Sequence, residues 1–435
     1  MVIATKPTEG EANATTLVDP DGGVEAPDLR YFVFALFFIF GGITSLNDIV
    51  APKLKELFTL NDFQMNLVNL AFFISYGLVS IPAAALVRRV GYMRGAAIGL
   101  AIMAIGCLLF IPASQSGLFA LFLLAIFGLG AGITLVQVVA NPLISLLGPA
   151  RTVHSRLTFA QAFNSLGTTI FPRVGAVLIL GSLATIDIAT LTGDALTAYR
   201  TAETQMVVKT YLGLAVAIMI VAIVVWLRRN RLPDNRPPQT NILHAFDLLG
   251  QLRFGWGAAC IFLYVGAEVA IGTILVNYLG QPDVWGMDPR NAGKHVVYYW
   301  GGAMVGRFIG SYLLRKVSPG LLLAAVTSGA IALILVSANS IGLIAGWALL
   351  MIGLMNSIMF PTIFSLACEG LGRRAEEASG IICVAIVGGA IVPLLYGHVA
   401  DISTRQFALV VPAVCYAVIA GFGVFARRPV ERALV

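Results

Sequence analysis

Charged side chains are scarce in this sequence. Only 11% of the 435 residues are Asp, Glu, Lys or Arg, whereas soluble proteins carry roughly 25%. Hydrophobic residues make up 58% of the chain. A soluble globular protein is therefore excluded, and the composition indicates an integral membrane protein.

Paired cysteines and catalytic signatures are also missing. The five cysteines lie singly in apolar stretches without CxxC spacing, which excludes a disulfide framework and a thiolate metal site. The sequence contains no HExxH, GxSxG or Cys/His cluster, so a membrane-embedded enzyme has no support. We predict no catalytic residue, no metal and no cofactor.

Long apolar stretches are abundant. They begin near residues 31, 64, 95, 117, 156, 206, 255, 294, 321, 341, 378 and 406. Stretches of ~20 residues fit membrane-spanning helices rather than the ~10-residue strands of a barrel. The sequence therefore predicts an all-α membrane protein with twelve transmembrane helices.

The placement of the basic residues predicts the orientation. Most Lys and Arg fall in loops that would share one side of the membrane with both termini. This is the positive-inside bias, and it places both termini in the cytoplasm. It also explains the net charge of +6 without nucleic-acid binding.

The domain boundaries follow the polar interruptions. Residues 1–29 lack the basic start and apolar core of a signal peptide, and we expect a disordered cytoplasmic tail. Residues 30–228 and 254–427 form two six-helix bundles. The charged, proline-rich residues 229–253 form a cytoplasmic linker with an amphipathic helix, and residues 428–435 form a second cytoplasmic tail.

The two halves repeat the same spacing between a glycine and a proline. Gly167 precedes Pro172 by five residues in the fifth span, and Gly388 precedes Pro393 by five in the eleventh. Two parallel repeats of six spans are typical of the major facilitator fold, in which the substrate site lies between the halves near the midplane.

Asp48 is the acid of the first span. It lies about eighteen residues into the helix, ~27 Å from its start, where a carboxylate costs about 2.5–3.5 kcal/mol to insert. Gly41, Thr44, Ser45 and Asp48 share one helical face. We expect Asp48 to face a cavity and couple an ion; a structural carboxylate is the alternative.

Two rows of polar residues follow in the fourth and fifth spans. Helical spacing places each row on one face, and amides can match the hydroxyls of a sugar. Hydrogen bonding between helices is the alternative. The rows are Gly130, Thr134, Gln137, Asn141 and Ser145, then Gln161, Asn164 and Thr168.

The second half supplies an acid and aromatic residues. Glu268 lies in the seventh span, one turn after Tyr264, and is the second candidate for ion coupling; a pair with a buried cation or amide is the alternative. We expect sugar binding by Tyr264 and by residues further along the chain, although Trp300 could instead be an interfacial anchor. The latter residues are Asn277, Trp300, Asn356 and Phe360.

Arg307 lies eight residues before Arg315 in the eighth span. We interpret it as a structural, snorkelling arginine near the inner gate. His154 is expected in a loop.

Several sequence blocks resemble the fucose:proton symporter family of the major facilitator superfamily, and more closely its bacterial glucose/galactose transporter branch. The blocks are Asn47-Asp48-Ile49, Ala140-Asn141-Pro142, Gln161-Ala162-Phe163-Asn164-Ser165, Tyr264-Val265-Gly266-Ala267-Glu268, Gly301-Gly302-Ala303-Met304-Val305-Gly306-Arg307-Phe308-Ile309-Gly310 and Asn356-Ser357-Ile358-Met359-Phe360-Pro361-Thr362-Ile363-Phe364-Ser365-Leu366.

The resemblance implies an acid pair in the first and fourth spans. Asp48, beside Asn47, keeps the first acid, whereas Gln137 stands at the second position and does not titrate. The resemblance also implies that Gln161 and Asn164 contact sugar, and we expect Asn47, Gln137 and Asn141 to bind it as well. Around Arg88-Arg89-Val90-Gly91, arginine stands where the superfamily has aspartate, so gating ion pairs must be arranged differently.

The resemblance thus implies alternating-access import of a hexose, glucose or galactose, coupled to a cation. A proton is favoured and sodium is the alternative. We expect a monomer in the bacterial inner membrane, without nucleic-acid partners. A uniporter, a sugar sensor, and transport of N-acetylglucosamine or fucose remain alternatives.

Overall fold

The computed structural model describes residues 27–58, 62–116, 118–180, 193–230 and 242–428. Within these ranges, the side chains of residues 27–28, 46–58, 62–66, 174–180, 194–204, 206–207, 242–243, 290 and 373 lie outside the description. The two predicted tails lie outside it almost entirely. The first helix begins at Pro27, so the last residues assigned to the first tail are helical.

The described chain is helical because backbone amides in hydrocarbon must find their partners within the same segment. The first half contains α1 (Pro27–Phe58), α2 (Asp62–Val90), α3 (Tyr92–Ser116), α4 (Phe119–Leu146), α5 (Val153–Leu180) and α6 (Gly193–Leu227). The second contains α7 (Leu252–Leu279), α8 (Pro289–Leu313), α9 (Pro319–Ala338), α10 (Gly342–Asn356), α11 (Met359–Ala367), α12 (Ala375–Ala385), α13 (Gly388–Ile402), α14 (Arg405–Ala408) and α15 (Val410–Phe425).

These helices make up twelve membrane-spanning segments. Nine described segments are long and apolar enough to cross a bilayer, and a shorter apolar stretch, Leu29–Ser45, lies within α1. Three of the nine combine two helices each: α10 with α11, α12 with α13, and α14 with α15. Helices α5 and α8 complete the set, so the predicted two bundles of six spans are confirmed.

The two halves pack alike. In the first half α1 lies against α5, and in the second α7 lies against α13. A Cβ on Gly167 of α5 would collide with the backbone of Phe38 in α1, and a Cβ on Gly388 of α13 would collide with that of Phe262 in α7. The repeated glycines thus permit the same close approach in each bundle.

The halves meet through two groups of helices. Helix α5 contacts α8 and α11, and α12 contacts α2 and α4. A 3₁₀ helix at Ile242–Gly250 joins the halves and contacts α2, α7 and α12. It buries Ala245 and Leu248 and exposes Phe246 and Leu249. We call the end of the bundle that carries this helix the linker side.

Gly388→Ala is expected to destabilise the protein by about 1–3 kcal/mol, because the added methyl meets backbone that cannot move aside. Gly397→Ala in the same helix is the matched control, since a Cβ there meets nothing within 4 Å. The measurement is thermal unfolding in detergent. Equal melting temperatures for the two variants would contradict the packing argument.

Candidate functional site

A cavity of about 470 Å³ lies between the halves, within the range of small-molecule sites. The first half lines it with Phe40, Thr44, Ser45, Phe72, Phe73, Tyr76, Gln137, Gln161, Asn164, Ser165, Thr168, Thr169, Pro172 and Arg173. The second half contributes Val265, Glu268, Val269, Val297, Trp300, Gly301, Arg307, Phe360 and Ile386.

Helix α5 presents the amide-rich wall. Gln161, Asn164 and Thr168, predicted to share one face, all line the cavity. The Asn164 amide donates a long hydrogen bond of 3.4 Å to the carbonyl of Phe37 in α1. The Thr168 hydroxyl donates to the carbonyl of Ser165 at 2.9 Å. Amide and hydroxyl groups on one helical face suit a ligand rich in hydroxyls.

Gln137 is the one member of the α4 row that reaches the cavity. Its amide donates to the hydroxyl of Tyr76 in α2 at 2.9 Å. Thr134 and Ser145 donate back to carbonyls of their own helix. Asn141 is fully buried, and both polar atoms of its side chain lack a partner among the described residues.

Aromatic rings form the remaining walls. Trp300 of α8 lies over Gly272 of α7, where a Cβ would come within 3.1 Å of the indole. The ring of Tyr299 meets that of Trp300 edge-on at 5.0 Å between centroids. With Phe360 and Phe72, the indole gives the cavity flat apolar surfaces beside its amides.

Two opposite charges face the cavity from the second half. Glu268 lines it, and its Oε1 is buried without a hydrogen-bond partner among the described residues. The guanidinium of Arg307 interacts electrostatically with that carboxyl. A carboxyl so placed can exchange protons with a solvated cavity while a fixed cation balances its ionised form.

Arg307 does not snorkel, and the interpretation from sequence needs correction. Its side chain is 8% exposed. Pro361 has no N–H for the carbonyl of Ser357 four residues earlier, and Arg307 Nε donates to that carbonyl at 3.2 Å. Its Nη1 donates to the carbonyl of Gln161 at 3.3 Å and to the Ser165 hydroxyl. Arg307 thus joins the two halves at the base of the cavity.

Four predicted binding residues with described side chains lie away from the cavity, and the buried Asn141 is one of them. Tyr264 and Asn356 are fully buried within the second half and hydrogen-bond to each other, from the Tyr264 hydroxyl to the Asn356 carbonyl at 3.1 Å. Asn277 is exposed near the end of α7, where its carbonyl accepts from Arg405. Asn47 and Asp48 fall in α1, outside the described side chains; Thr44, one turn before Asp48, lines the cavity.

The halves close against each other on the linker side. His154 lies in α5 rather than in a loop, and its Nδ1 is 2.6 Å from the Ser365 hydroxyl of α11. The Ser155 hydroxyl donates to the carbonyl of Ser311 in α8 at 2.6 Å. These contacts lie between the cavity and the linker-side ends of the helices.

An ion pair spans the same interface. Arg88, in the last turn of α2, pairs with Glu377 at the start of α12. Both side chains are nearly buried, at 11% and 8% exposed. Arg88 belongs to the stretch in which we expect gating ion pairs to be arranged differently, and the sequence did not single out Glu377 as its partner.

The pair extends to the linker. Arg374 donates to Glu377 at 2.7 Å and to both carboxylate oxygens of Asp247 in the 3₁₀ helix, at 2.5 and 3.1 Å. The hydrogen bond from Arg374 holds the pKa of Asp247 below its usual range. Asp247 therefore stays ionised, and the attachment persists, until the pH falls through that lowered pKa.

The family model of the Major Facilitator Superfamily matches residues 32–393. The chain belongs to this superfamily, in agreement with the two bundles and the cavity between them. It is therefore a multi-pass membrane transporter and not an enzyme.

Two relatives and one solved structure are similar over nearly their whole length. The glucose/galactose transporter of Brucella abortus is 46% identical over 395 residues, covering 90% of this chain and 92% of the relative. The L-fucose-proton symporter of Escherichia coli is 32% identical, covering 94% and 95%. The crystal structure of the transporter FucP in the outward conformation superposes with a TM-score of 0.84 at 31% identity, covering 92% and 98%.

Glu377→Gln is expected to loosen the linker-side closure, because it removes the charge that pairs across the halves with Arg88. The readout is maleimide labelling of Ser379→Cys, a fully buried position of α12, in a background without the five native cysteines. We expect labelling to rise severalfold.

The matched control is Glu369→Gln. Glu369 pairs with Arg253 on the same side of the membrane but within the second half. Equal labelling in the two variants would show that the Arg88–Glu377 pair does not hold the halves together.

Proposed function

We propose that this protein imports a hexose, glucose or galactose, together with a proton across the inner membrane of a bacterium. The observation that carries this proposal is the cavity between the halves, in which amides, flat aromatic rings and an acid face one space. The relatives named for glucose/galactose transport and for L-fucose-proton symport support both the cargo and the ion.

Sugar recognition falls to the residues on the cavity walls. Gln161, Asn164 and Thr168 offer donors and acceptors to ring hydroxyls. Trp300 and Phe360 cover the apolar face of the pyranose. Gln137 adds an amide that Tyr76 holds in place. One chain supplies both walls, which supports action as a monomer.

Coupling falls to the two acids. Asp48 lies one turn beyond Thr44 of the cavity wall, and Glu268 faces the cavity from the opposite half. Gln137 has no titratable proton, so we assign proton uptake to these carboxyls. Neutralising them removes the cost of enclosing charge and allows the loaded halves to rock about the sugar.

The positive-inside bias supports a cytoplasmic linker side. With that orientation, the contacts between the halves close the cytoplasmic end, and the cavity faces outward. Sodium coupling and uncoupled transport are the alternatives within this scheme, and vesicle experiments with single ion gradients distinguish them.

In proteoliposomes, we expect labelled glucose or galactose to accumulate when a proton gradient is imposed and not when only a sodium gradient is imposed. Asp48→Asn should abolish accumulation while sugar exchange between the two sides persists, because exchange needs no net ion movement. Collapse of the proton gradient in wild-type vesicles is the control.

Accumulation that survives in Asp48→Asn would remove this residue from the coupling. Accumulation driven by sodium alone would identify sodium, not the proton, as the coupling ion. Uptake that stops at equilibrium under every gradient would indicate a uniporter.

Asn164→Ala is expected to weaken hexose binding about tenfold, which corresponds to ~1.4 kcal/mol, because a hydroxyl of the sugar loses an amide partner. Isothermal titration of the purified protein measures the dissociation constant. Asn339→Ala is the matched control, since that residue is exposed and its amide donates to the carbonyl of Leu335 in its own helix turn. Equal affinities for the two variants would exclude Asn164 from the sugar site.

A further inference from the structure

Three buried tyrosines surround Asn356 inside the second half. Tyr264 comes from α7, Tyr299 from α8 and Tyr416 from α15, and each hydroxyl hydrogen-bonds to Asn356. All four side chains are fully buried. We call these four residues the tyrosine cluster; it lies beside the cavity without lining it.

The hydrogen bonds of the Asn356 side chain determine which neighbouring hydroxyl donates and which accepts. Its Nδ2 donates to the Tyr299 hydroxyl at 2.8 Å, and its Oδ1 accepts from Tyr416 at 2.8 Å. Since a phenol carries one proton, Tyr299 is left to donate its own, and it donates to the carbonyl of Glu268 at 3.2 Å. The amide of Asn356 thereby anchors the backbone that carries the cavity acid.

Tyr264 differs from the other two tyrosines because its one proton has two acceptors. The hydroxyl donates to the Asn356 carbonyl at 3.1 Å, and it also interacts with the Glu268 carboxyl one turn along α7. An ionised carboxylate is the stronger acceptor. A protonated carboxyl releases the hydroxyl to the carbonyl of Asn356.

The cluster reaches the contact between the halves through one peptide bond. Asn356 ends α10, and the carbonyl of the next residue, Ser357, accepts from Arg307. Arg307 in turn bonds to Gln161 and Ser165 of the first half. The break between α10 and α11 therefore joins the Tyr264 hydroxyl to the cation at the base of the cavity.

We propose that the tyrosine cluster positions Glu268 and transmits its protonation to Arg307, with the Tyr264 hydroxyl moving between Glu268 and the Asn356 carbonyl. This inference rests on the proposed function, in which Glu268 takes up a proton. Tyr264 and Asn356 are then positioning residues and do not bind sugar.

The groups that face Glu268 are few. Among the described residues, Arg307 and Tyr299 of α8, Tyr264 of α7 and Tyr416 of α15 are the charged or titratable groups that interact with it. Helices α11, α12 and α13 also pack against α7 and contribute no such partner to Glu268 within their described residues.

Tyr264→Phe tests the proposal. It removes a donor to the ionised carboxyl, so protonation becomes easier and the midpoint of the pH dependence of hexose exchange should move up by about one pH unit. Hexose affinity measured well below that midpoint should stay within twofold of wild type. When Glu268→Gln is also present, proteins with tyrosine and with phenylalanine at position 264 should no longer differ in this pH dependence.

Tyr278→Phe is the matched control. Tyr278 is a fully buried tyrosine of the same helix, and its hydroxyl donates to the carbonyl of Ser337 at 3.0 Å. Loss of this hydroxyl removes a comparable hydrogen bond that does not involve Glu268. The pH midpoint of hexose exchange should therefore not move. Infrared difference titration of the carboxyl band that Glu268→Gln removes gives the same midpoint without any transport.

A folded Tyr264→Phe whose midpoint equals that of wild type overturns the proposal, as does an equal shift in Tyr278→Phe. If Tyr264→Phe does not fold, Tyr299→Phe takes its place, because it frees the Asn356 amide; an unchanged midpoint there also overturns it. Wild-type protein that binds no hexose would instead overturn the proposed function.

Discussion

A buried cation joins the two halves at the base of the cavity. Arg307 takes the carbonyl that Pro361 leaves free and reaches across to the backbone of Gln161 and the hydroxyl of Ser165. A guanidinium in this position is costly unless its donors are satisfied. The acceptors of Arg307 lie on both halves. When the halves separate at the base of the cavity, Arg307 must therefore bond to new acceptors or to water.

Hydropathy and spacing were sufficient for the architecture. The apolar stretches predicted the spans, and the Gly167 and Gly388 echo predicted two alike bundles, because close helix approach in a bilayer requires small residues at fixed positions. The row on α5 was also correctly placed on one face. Gln161, Asn164 and Thr168 line the cavity together.

The candidate site was harder to predict because a helical face does not specify the neighbour it meets. In the α4 row, only Gln137 lines the cavity, while Asn141 lies buried beyond it. Tyr264 and Asn356 were recognised as polar residues of the spans, yet they bond to each other. Asn356 also bonds to Tyr299 of α8 and Tyr416 of α15, which are distant in sequence. Arg307 was misjudged because the free carbonyl at Ser357 becomes visible only when the two spans are seen side by side.

The equal approach of α5 to α1 and of α13 to α7 has an evolutionary consequence. Each bundle holds its own shape through its own glycine, so a change inside one leaves the fit of the other intact. The first bundle carries the amides, and the second carries Glu268 and Arg307. A lineage can therefore change the cavity wall that one bundle supplies without disturbing the internal packing of the other bundle.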